Sequence, residues 1–283
     1  MNETKEYVGK IQHIWLYPVK SMQGVLVPET EISNGGVIGD RSYAVMSIDK
    51  KTIASAKNPK KWGDLLKLHA QFTHTPESNK PLPEVEIQFP NNMSILSSDP
   101  QVHSLLSDYI GQDVELSTTR SNNIIVERVD PLDANESVLD IGELMLANKF
   151  SDYADMHIIT TSTLKKLSKI SPDIDFDERR FRPNLVIDTE NNAGEFLENN
   201  WVGGKLIIND VCFDVTDPTP RCAIPTLSNG EFSNSPELLK TIVDNNTCEV
   251  PLFDNKALPC AGIYGFILRP GSIKQGDPVY IDA

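Results

Sequence analysis

Cys222 stands directly after Arg221 in the run TDPTPRCAIPTL, where Pro218, Pro220 and Pro225 oppose regular helix or central strand. The thiol is therefore expected on a shaped loop. Thiolate is the nucleophilic and metal-binding form of cysteine, and an adjacent guanidinium favours it by stabilising the negative charge. Ligation of a soft metal and carriage of sulfur as a persulfide are both open to such a group. For an arbitrary cysteine a buried structural thiol ranks ahead of either. Cys212 illustrates that alternative, lying inside the apolar alternation of Val211, Phe213 and Val215, a setting Cys222 lacks.

Basic groups gather elsewhere. In ERRFRPNLVID, Arg179, Arg180 and Arg182 crowd before a strand, and Asn184 follows a proline. Guanidinium forks grip phosphate and planar oxygen-rich groups through paired hydrogen bonds that lysine cannot reproduce. A solvated turn paired with Asp175, Asp177 and Glu178 is an equal alternative, with Arg179 as its solvated member. YPVKSMQG carries Lys20 and Ser21 out of the first strand at a turn, and GDRSYAV brings Arg41 into the next. Singly, each of these is an ordinary strand-end charge.

Other chemistries are excluded by pattern. His13, His69, His74, His103 and His157 form no metal-ligand spacing. The chain has no G-x-S-x-G, no Walker loop and no G-x-G-x-x-G. Cys212, Cys222, Cys248 and Cys260 form no C-x-x-C, which removes zinc ribbons, thioredoxin-like motifs and an iron-sulfur cluster of this chain's own. Such irregular spacing suits a reduced, cytoplasmic protein.

A net charge of −14 over 283 residues argues against non-specific binding to nucleic acid or to anionic membranes. It also makes local basic groups informative, because an anionic ligand must be held against the overall field. With 39% hydrophobic and 23% charged residues the composition is that of a globular protein, and no stretch approaches the roughly 20 apolar residues of a membrane span. The start, MNETKEYVGK, has neither an apolar signal region nor an Arg-rich transit character.

These groups need strands to position them. KIQHIWLYP, YAVMSID and the alternation in VEIQF read as strands, with a turn at Asn34-Gly35-Gly36. A helix follows, capped by Asp99, with Pro100 in its first turn, a stripe of Val102, Leu105, Leu106, Tyr109 and Ile110, and Gly111 at its end. After the polar TTRSNN run come IIVERV, HIITTS, NLVID and the hairpin KLIINDVCFDV turning at Asn209-Asp210, and the last strands are GIYGFIL and DPVYI. A second helix is expected from Ser235, with Pro236 at its first position and Leu238, Leu239, Ile242 and Val243 on one face. The fold expected is mainly β with α+β elements, in two domains spanning residues 1–120 and 121–283.

Taken in order, YPVKSMQG, GDRSYAV, HIITTSTL, RFRPNLVID, ENNWVGGKLIIND, PTPRCAIPTL and GIYGFILRPGSIKQGDPVYI resemble one family. They look like the N-terminal β-barrel and MOSC domain of molybdenum-cofactor sulfurase C-terminal proteins, with the mitochondrial amidoxime reducing component and its bacterial counterparts as functional relatives. The resemblance runs from about residue 9 to residue 281. It implies an N-terminal β-barrel-like domain followed by a MOSC β-barrel, a bound molybdenum cofactor (Mo-molybdopterin), and Cys222 as thiolate ligand of the metal. By the same resemblance Lys20, Ser21 and Arg41 hold the pterin phosphate, Thr160, Thr161, Arg182, Asn184 and Arg221 line the pterin, and Tyr264 lines the same cavity.

Departures from the family shape the expectation. The chain starts almost at the barrel, without the mitochondrial anchor, and stops at DPVYIDA, without a ferredoxin-like domain. The pyridoxal-phosphate aminotransferase-like domain of full-length sulfurases is also missing, so pyridoxal phosphate is not expected. Pro220 stands where relatives carry serine. The activity implied is reduction of small N-hydroxylated or N-oxygenated compounds, with electrons from a separate ferredoxin, flavodoxin or cytochrome b5-type protein with its reductase. A sulfurtransferase using a Cys222 persulfide, or a non-catalytic cofactor carrier, are the alternatives.

Overall fold

The computed structural model describes residues 5–49, 52–119, 125–129, 138–140, 142, 145, 149–189 and 194–282. Residues 120–124, where the second β-rich region is expected to begin, lie outside them. The molecule is mostly β, and its centre is a closed seven-stranded barrel. The strands that matter for the site are β1 (Glu6–Leu16), β2 (Met156–Thr160), β3 (Leu185–Asp188), β4 (Lys205–Ile208), β5 (Val211–Pro220), β6 (Thr247–Val250), β7 (Lys256–Arg269) and β8 (Pro278–Asp282). Around the barrel the order is β2, β3, β1, β8, β4, β5, β7, and β7 returns to β2, with β6 paired outside on β7. Closure removes the exposed sheet edge that a long run such as β7 would otherwise present.

Alternation puts one face of each strand inside. Ile14, Leu185, Leu206, Phe213, Val215, Ile263 and Ile281 belong to one buried cluster, and Phe213 and Ile14 are fully inaccessible. β4 and β5 form the expected hairpin, Ile208 opposite Val211, turning at Asn209 with φ +52°. The boundary at residue 120 does not divide this sheet. β1 runs between β3 and β8, and Glu29–Ser33 pairs with Gly271–Lys274.

A second core gathers Val19, Met22, Val45, Trp62, Leu65, Ile87 and Leu106 in the N-terminal part. The helix α1 (Val102–Ile110) closes it. That helix begins two residues after Pro100, because Asp99 is used one turn earlier, accepting from the Gln101 N–H at 2.8 Å; Gly111 ends it at φ +76° with its N–H on Ser107 O.

HIITTS is not strand throughout. Thr160 ends the strand still in extended conformation, its Oγ accepts from the Thr163 N–H at 3.2 Å, and helix α2 (Thr161–Ile170) follows. A one-turn helix α3 (Glu178–Phe181) is capped by Asp177 and stopped by Arg182 at φ +55°. Helix α4 (Pro236–Asn245) starts after Ser235 as expected, and Leu238 and Ile242 pack with Leu167 of α2 against the barrel's outside. Among the described residues no helix is long and apolar enough to cross a membrane.

Candidate functional site

β2 and β3 run parallel, and β1 runs antiparallel to β3. The end of β1 and the starts of β2 and β3 therefore share one end of the barrel, and the loop that follows β5 lines the same cleft. Lys20, His157, Asn184 and Cys222 are brought together there, lining one cleft with Ser21, Arg41, Arg182, Arg221 and Tyr264. Counted with its open mouth, the cleft holds about 1110 Å³ of atom-free space.

Cys222 lies two residues past the end of β5, partly exposed, on the loop held by Arg221. That guanidinium is buried among acceptors. Its Nε donates to Ala261 O at 2.9 Å, Nη1 donates to Phe181 O at 3.2 Å, and Nη2 contacts Ala261 O and His157 Nε2. Its backbone N–H donates to Pro259 O at 2.8 Å, fixing the loop to β7. Burial, reinforced by Arg221, pushes the His157 pKa well below its ordinary value. The imidazole is thus neutral, and since Nε2 faces a cation it accepts there while Nδ1 carries the proton.

Arg41 and Arg182 meet over one ring. Their guanidinium carbons lie 4.8 and 4.5 Å from the centroid of Tyr17. Arg41 pairs with Asp40 and donates to Arg182 O at 3.3 Å. Arg182 donates to Met22 O at 2.7 Å, and burial lowers its pKa to about 10. Both residues hold positive φ, at +48° and +55°, so each is aimed by an unusual backbone turn. Asn184 stitches the strands: its Oδ1 accepts from the His157 N–H at 3.2 Å.

On the facing wall, Lys20 Nζ donates to Phe150 O at 2.9 Å and to Asp152 Oδ1 at 2.5 Å, while Lys57 reaches Asp152 Oδ2 at 3.0 Å. Burial lowers the Lys20 pKa to about 8 despite Asp152, and the two ammonium groups hold the Asp152 carboxyl far below the usual range. Ser21 Oγ accepts from the Ala56 N–H at 3.0 Å, leaving its proton to donate. Tyr264 packs edge-on to Tyr153, centroids 5.4 Å apart. Asp152 is the one carboxylate among the lining residues, against Lys20, Lys57, Arg41, Arg128, Arg180, Arg182 and Arg221. Arg180, Arg182 and Arg221 donate to backbone carbonyls, and among the described residues none of them sits in an ion pair. Guanidinium groups that are buried or half-buried without a carboxylate partner give the cleft a positive local field.

Thr160 and Thr161 lie elsewhere. They stand at the far end of β2, about 10 Å beyond His157 at about 3.3 Å of rise per residue. Their hydroxyls are occupied there: Thr160 Oγ1 donates to Glu198 at 2.6 Å, and Thr161 Oγ1 to Asp188 at 3.3 Å. The arginine cluster splits as well. Arg179 turns to the surface and pairs with Asp177 and Glu231, whereas Arg180 and Arg182 turn inward. Asp152, Tyr153, His157, Lys57 and Arg128 line the cleft without having been singled out for it. The signal available for Asp152 and Tyr153 was their place just before β2, at the end of the strand opposite to Thr160.

The fold and site together define a β-barrel protein with a thiol and clustered guanidinium groups lining one cleft. Family models extend that description: the MOSC domain matches residues 145–280 and the MOSC N-terminal beta barrel domain matches residues 8–72. The chain thus carries a MOSC N-terminal beta barrel domain followed by a MOSC domain. It is 26% identical over 303 residues to human mitochondrial amidoxime-reducing component 1, covering 98% of this chain and 84% of that one, and 24% identical over 298 residues to the rat mitochondrial amidoxime reducing component 2, covering 97% and 84%. A molybdenum cofactor sulfurase of Oryza sativa is 28% identical over 269 residues, 85% of this chain and 31% of that protein.

Proposed function

We propose that the cleft holds a molybdenum-bearing pterin cofactor and that the protein is a cytoplasmic reductase of N-hydroxylated or N-oxygenated compounds. The observation that carries this reading is a partly exposed thiol, Cys222, meeting uncompensated guanidinium groups at one barrel end in a chain of net charge −14. The donor set fits such a group. A phosphate would offset the charge of half-buried Arg182, whose pKa desolvation lowers. Among the described residues no three His, Cys, Asp or Glu side chains are disposed to hold a metal, so the metal must bring its other ligands with it. The names of the relatives support the same reading.

When bound, the cofactor supplies two-electron oxygen-atom chemistry. The protein supplies position and charge. Cys222 Sγ offers the soft ligand, Arg221 and His157 fix its loop, and Arg41 and Arg182, held against Tyr17, present cations to the phosphate. Lys20 and Ser21 add donors from the other wall, and Tyr153 with Tyr264 gives that wall an aromatic surface. Electrons come from a separate protein, since the sequence has neither a nucleotide fingerprint nor a cluster of ligating cysteines.

Expression in a cofactor-competent host tests this. Molybdenum measured by mass spectrometry should be stoichiometric, and reduced viologen should drive benzamidoxime reduction where NADH alone does not. Cys222→Ser should remove turnover and leave the fold intact, because a hydroxyl is a harder and far less acidic ligand. Equal turnover and metal in wild type and Cys222→Ser refutes the reading. Cyanide-releasable sulfur on metal-free protein favours the sulfurtransferase instead.

A further inference from the structure

We propose that Cys248 and Cys260 are a redox pair, oxidised by peroxide to an intramolecular disulfide that shifts the Arg221–Cys222 loop. The two thiols lie on neighbouring antiparallel strands. Cys248 of β6 stands opposite Leu258 of β7, and one step on the Cys260 N–H donates to Asn246 O at 2.8 Å. Residues 248 and 260 are thus diagonal neighbours on one face, Cys260 Sγ donating to Leu258 O at 3.3 Å directly opposite Cys248. Cys248 is partly exposed and Cys260 is wholly buried. The Cys260 contact also lowers the Cys248 pKa, which suits it to react first.

The chemistry closes on itself with peroxide as oxidant. Cys248 thiolate attacks one peroxide oxygen, the O–O bond breaks, and the departing hydroxide takes a proton to become water. Cys260 sulfur then attacks the resulting sulfenic acid, the S–S bond forms, the S–O bond breaks, and the leaving hydroxide takes the Cys260 proton. Two thiols lose two electrons, and peroxide becomes two waters.

Geometry ties this bond to the cleft. Diagonal strand neighbours stand about 7–8 Å apart between Cα atoms, whereas a disulfide needs about 4.4–6.8 Å. Closing it must draw β6 and β7 together at Cys260. The residues on either side of Cys260 are Pro259 and Ala261, whose carbonyls accept from the Arg221 N–H at 2.8 Å and from Arg221 Nε at 2.9 Å, and Pro220 pairs with Cys260 itself. A shift of this short stretch therefore moves the anchor of Cys222. The bond is independent of any cofactor, while its meaning as regulation rests on the function proposed above.

Trypsin separates the four cysteines, placing Cys222 in 222–240, Cys248 in 241–256 and Cys260 in 257–274. The full chain, purified without cofactor, is treated with hydrogen peroxide and mapped by mass spectrometry, and Cys222 alkylation by iodoacetamide is timed before and after. The expected result is a dithiothreitol-reversible link between 241–256 and 257–274, absent in Cys248→Ser. Cys222 alkylation should change about fivefold, what losing one hydrogen bond to Arg221 amounts to, and stay constant in Cys248→Ser. No link at peroxide levels that oxidise Cys222, or a link with Cys222 reactivity unaltered, overturns the proposal. Molybdenum content of the wild type tests the functional reading separately.

Discussion

Replacing Arg221 by lysine keeps the charge and removes the fork. The guanidinium donates to Ala261 O and Phe181 O and touches His157 Nε2, and a single ammonium on a flexible stem can serve one of these sites. At least two charge-assisted hydrogen bonds are lost, each worth about 1.5–3 kcal/mol, and the acceptors left behind are buried. The expected destabilisation is about 3 kcal/mol or more, a large part of the roughly 5–15 kcal/mol that holds a folded domain together. Urea unfolding of the full chain followed by circular dichroism and intrinsic fluorescence reads the difference at unchanged denaturant slope. Arg179→Lys is the internal control. Its side chain is 39% exposed and its partners are the surface carboxylates Asp177 and Glu231, so about 1 kcal/mol or less is expected. Equal effects of the two substitutions, or a loss below about 1 kcal/mol at Arg221, would show that the buried fork does not anchor the loop.

His157 is buried neutral, so its folded pKa lies below the ordinary 6.5. The unfolded chain therefore binds a proton that the folded one refuses, and stability is full above 6.5 and lost as pH falls below it, by up to about 1.4 kcal/mol per pH unit. In His157→Gln the unfolding free energy should fall less steeply between pH 6.5 and 5, and an unchanged slope would contradict a neutral histidine. Arg182→Lys should lose cofactor on gel filtration faster than Arg179→Lys, as molybdenum per chain records; equal retention would take Arg182 out of the site. Gly262→Ala should destabilise by about 1–3 kcal/mol in thermal unfolding, because φ is +84° and the added carbon would stand 2.5 Å from His157 Nε2 and from Ile158 O. A neutral result there would mean that β7 yields easily beside the histidine.

Much of the barrel is legible in the sequence because local alternation and turn chemistry determine it. The hairpin at Asn209-Asp210 and the strand NLVID need only their own residues. Closure does not work that way. The pairing of Met156 with Gly265, and of Lys10 with Asp188, joins residues far apart in the chain, and nothing in either run names its partner. Helix α2 escapes a strand reading for a local reason: ITTS looks β-branched, yet Thr160 can turn its hydroxyl on the Thr163 N–H, and Leu164 and Leu167 then fall at helical spacing under α4. Strand propensity loses to a cap followed by a buried stripe.

The same distinction explains the site. Lys20, Arg41, Arg182, Arg221 and Cys222 are conspicuous by type, because cations and an Arg-flanked thiol stand out in a chain of net charge −14. Side-chain type does not say at which end of a strand a residue works. Thr160 and Thr161 are read toward the cleft from their motif, whereas the residue of β2 that lines it is His157, whose backbone N–H donates to Asn184 at the start of β3. Asp152 is hidden for the opposite reason, as one carboxylate among 40 acidic residues. It becomes distinct only where folding leaves it alone between Lys20 and Lys57. The field follows from that placement: the acidic excess lies outside the cleft, Arg180, Arg182 and Arg221 inside it address backbone carbonyls, and among the described residues no carboxylate pairs with these three guanidinium groups. A small redox protein approaching the same mouth would feel that local field more strongly at low salt, where the screening length is roughly 30 Å at 0.01 M, than at 0.15 M, where it is about 8 Å. Donor-driven turnover should accordingly slow across that range, and a rate indifferent to salt would separate electron delivery from the basic face of the cleft.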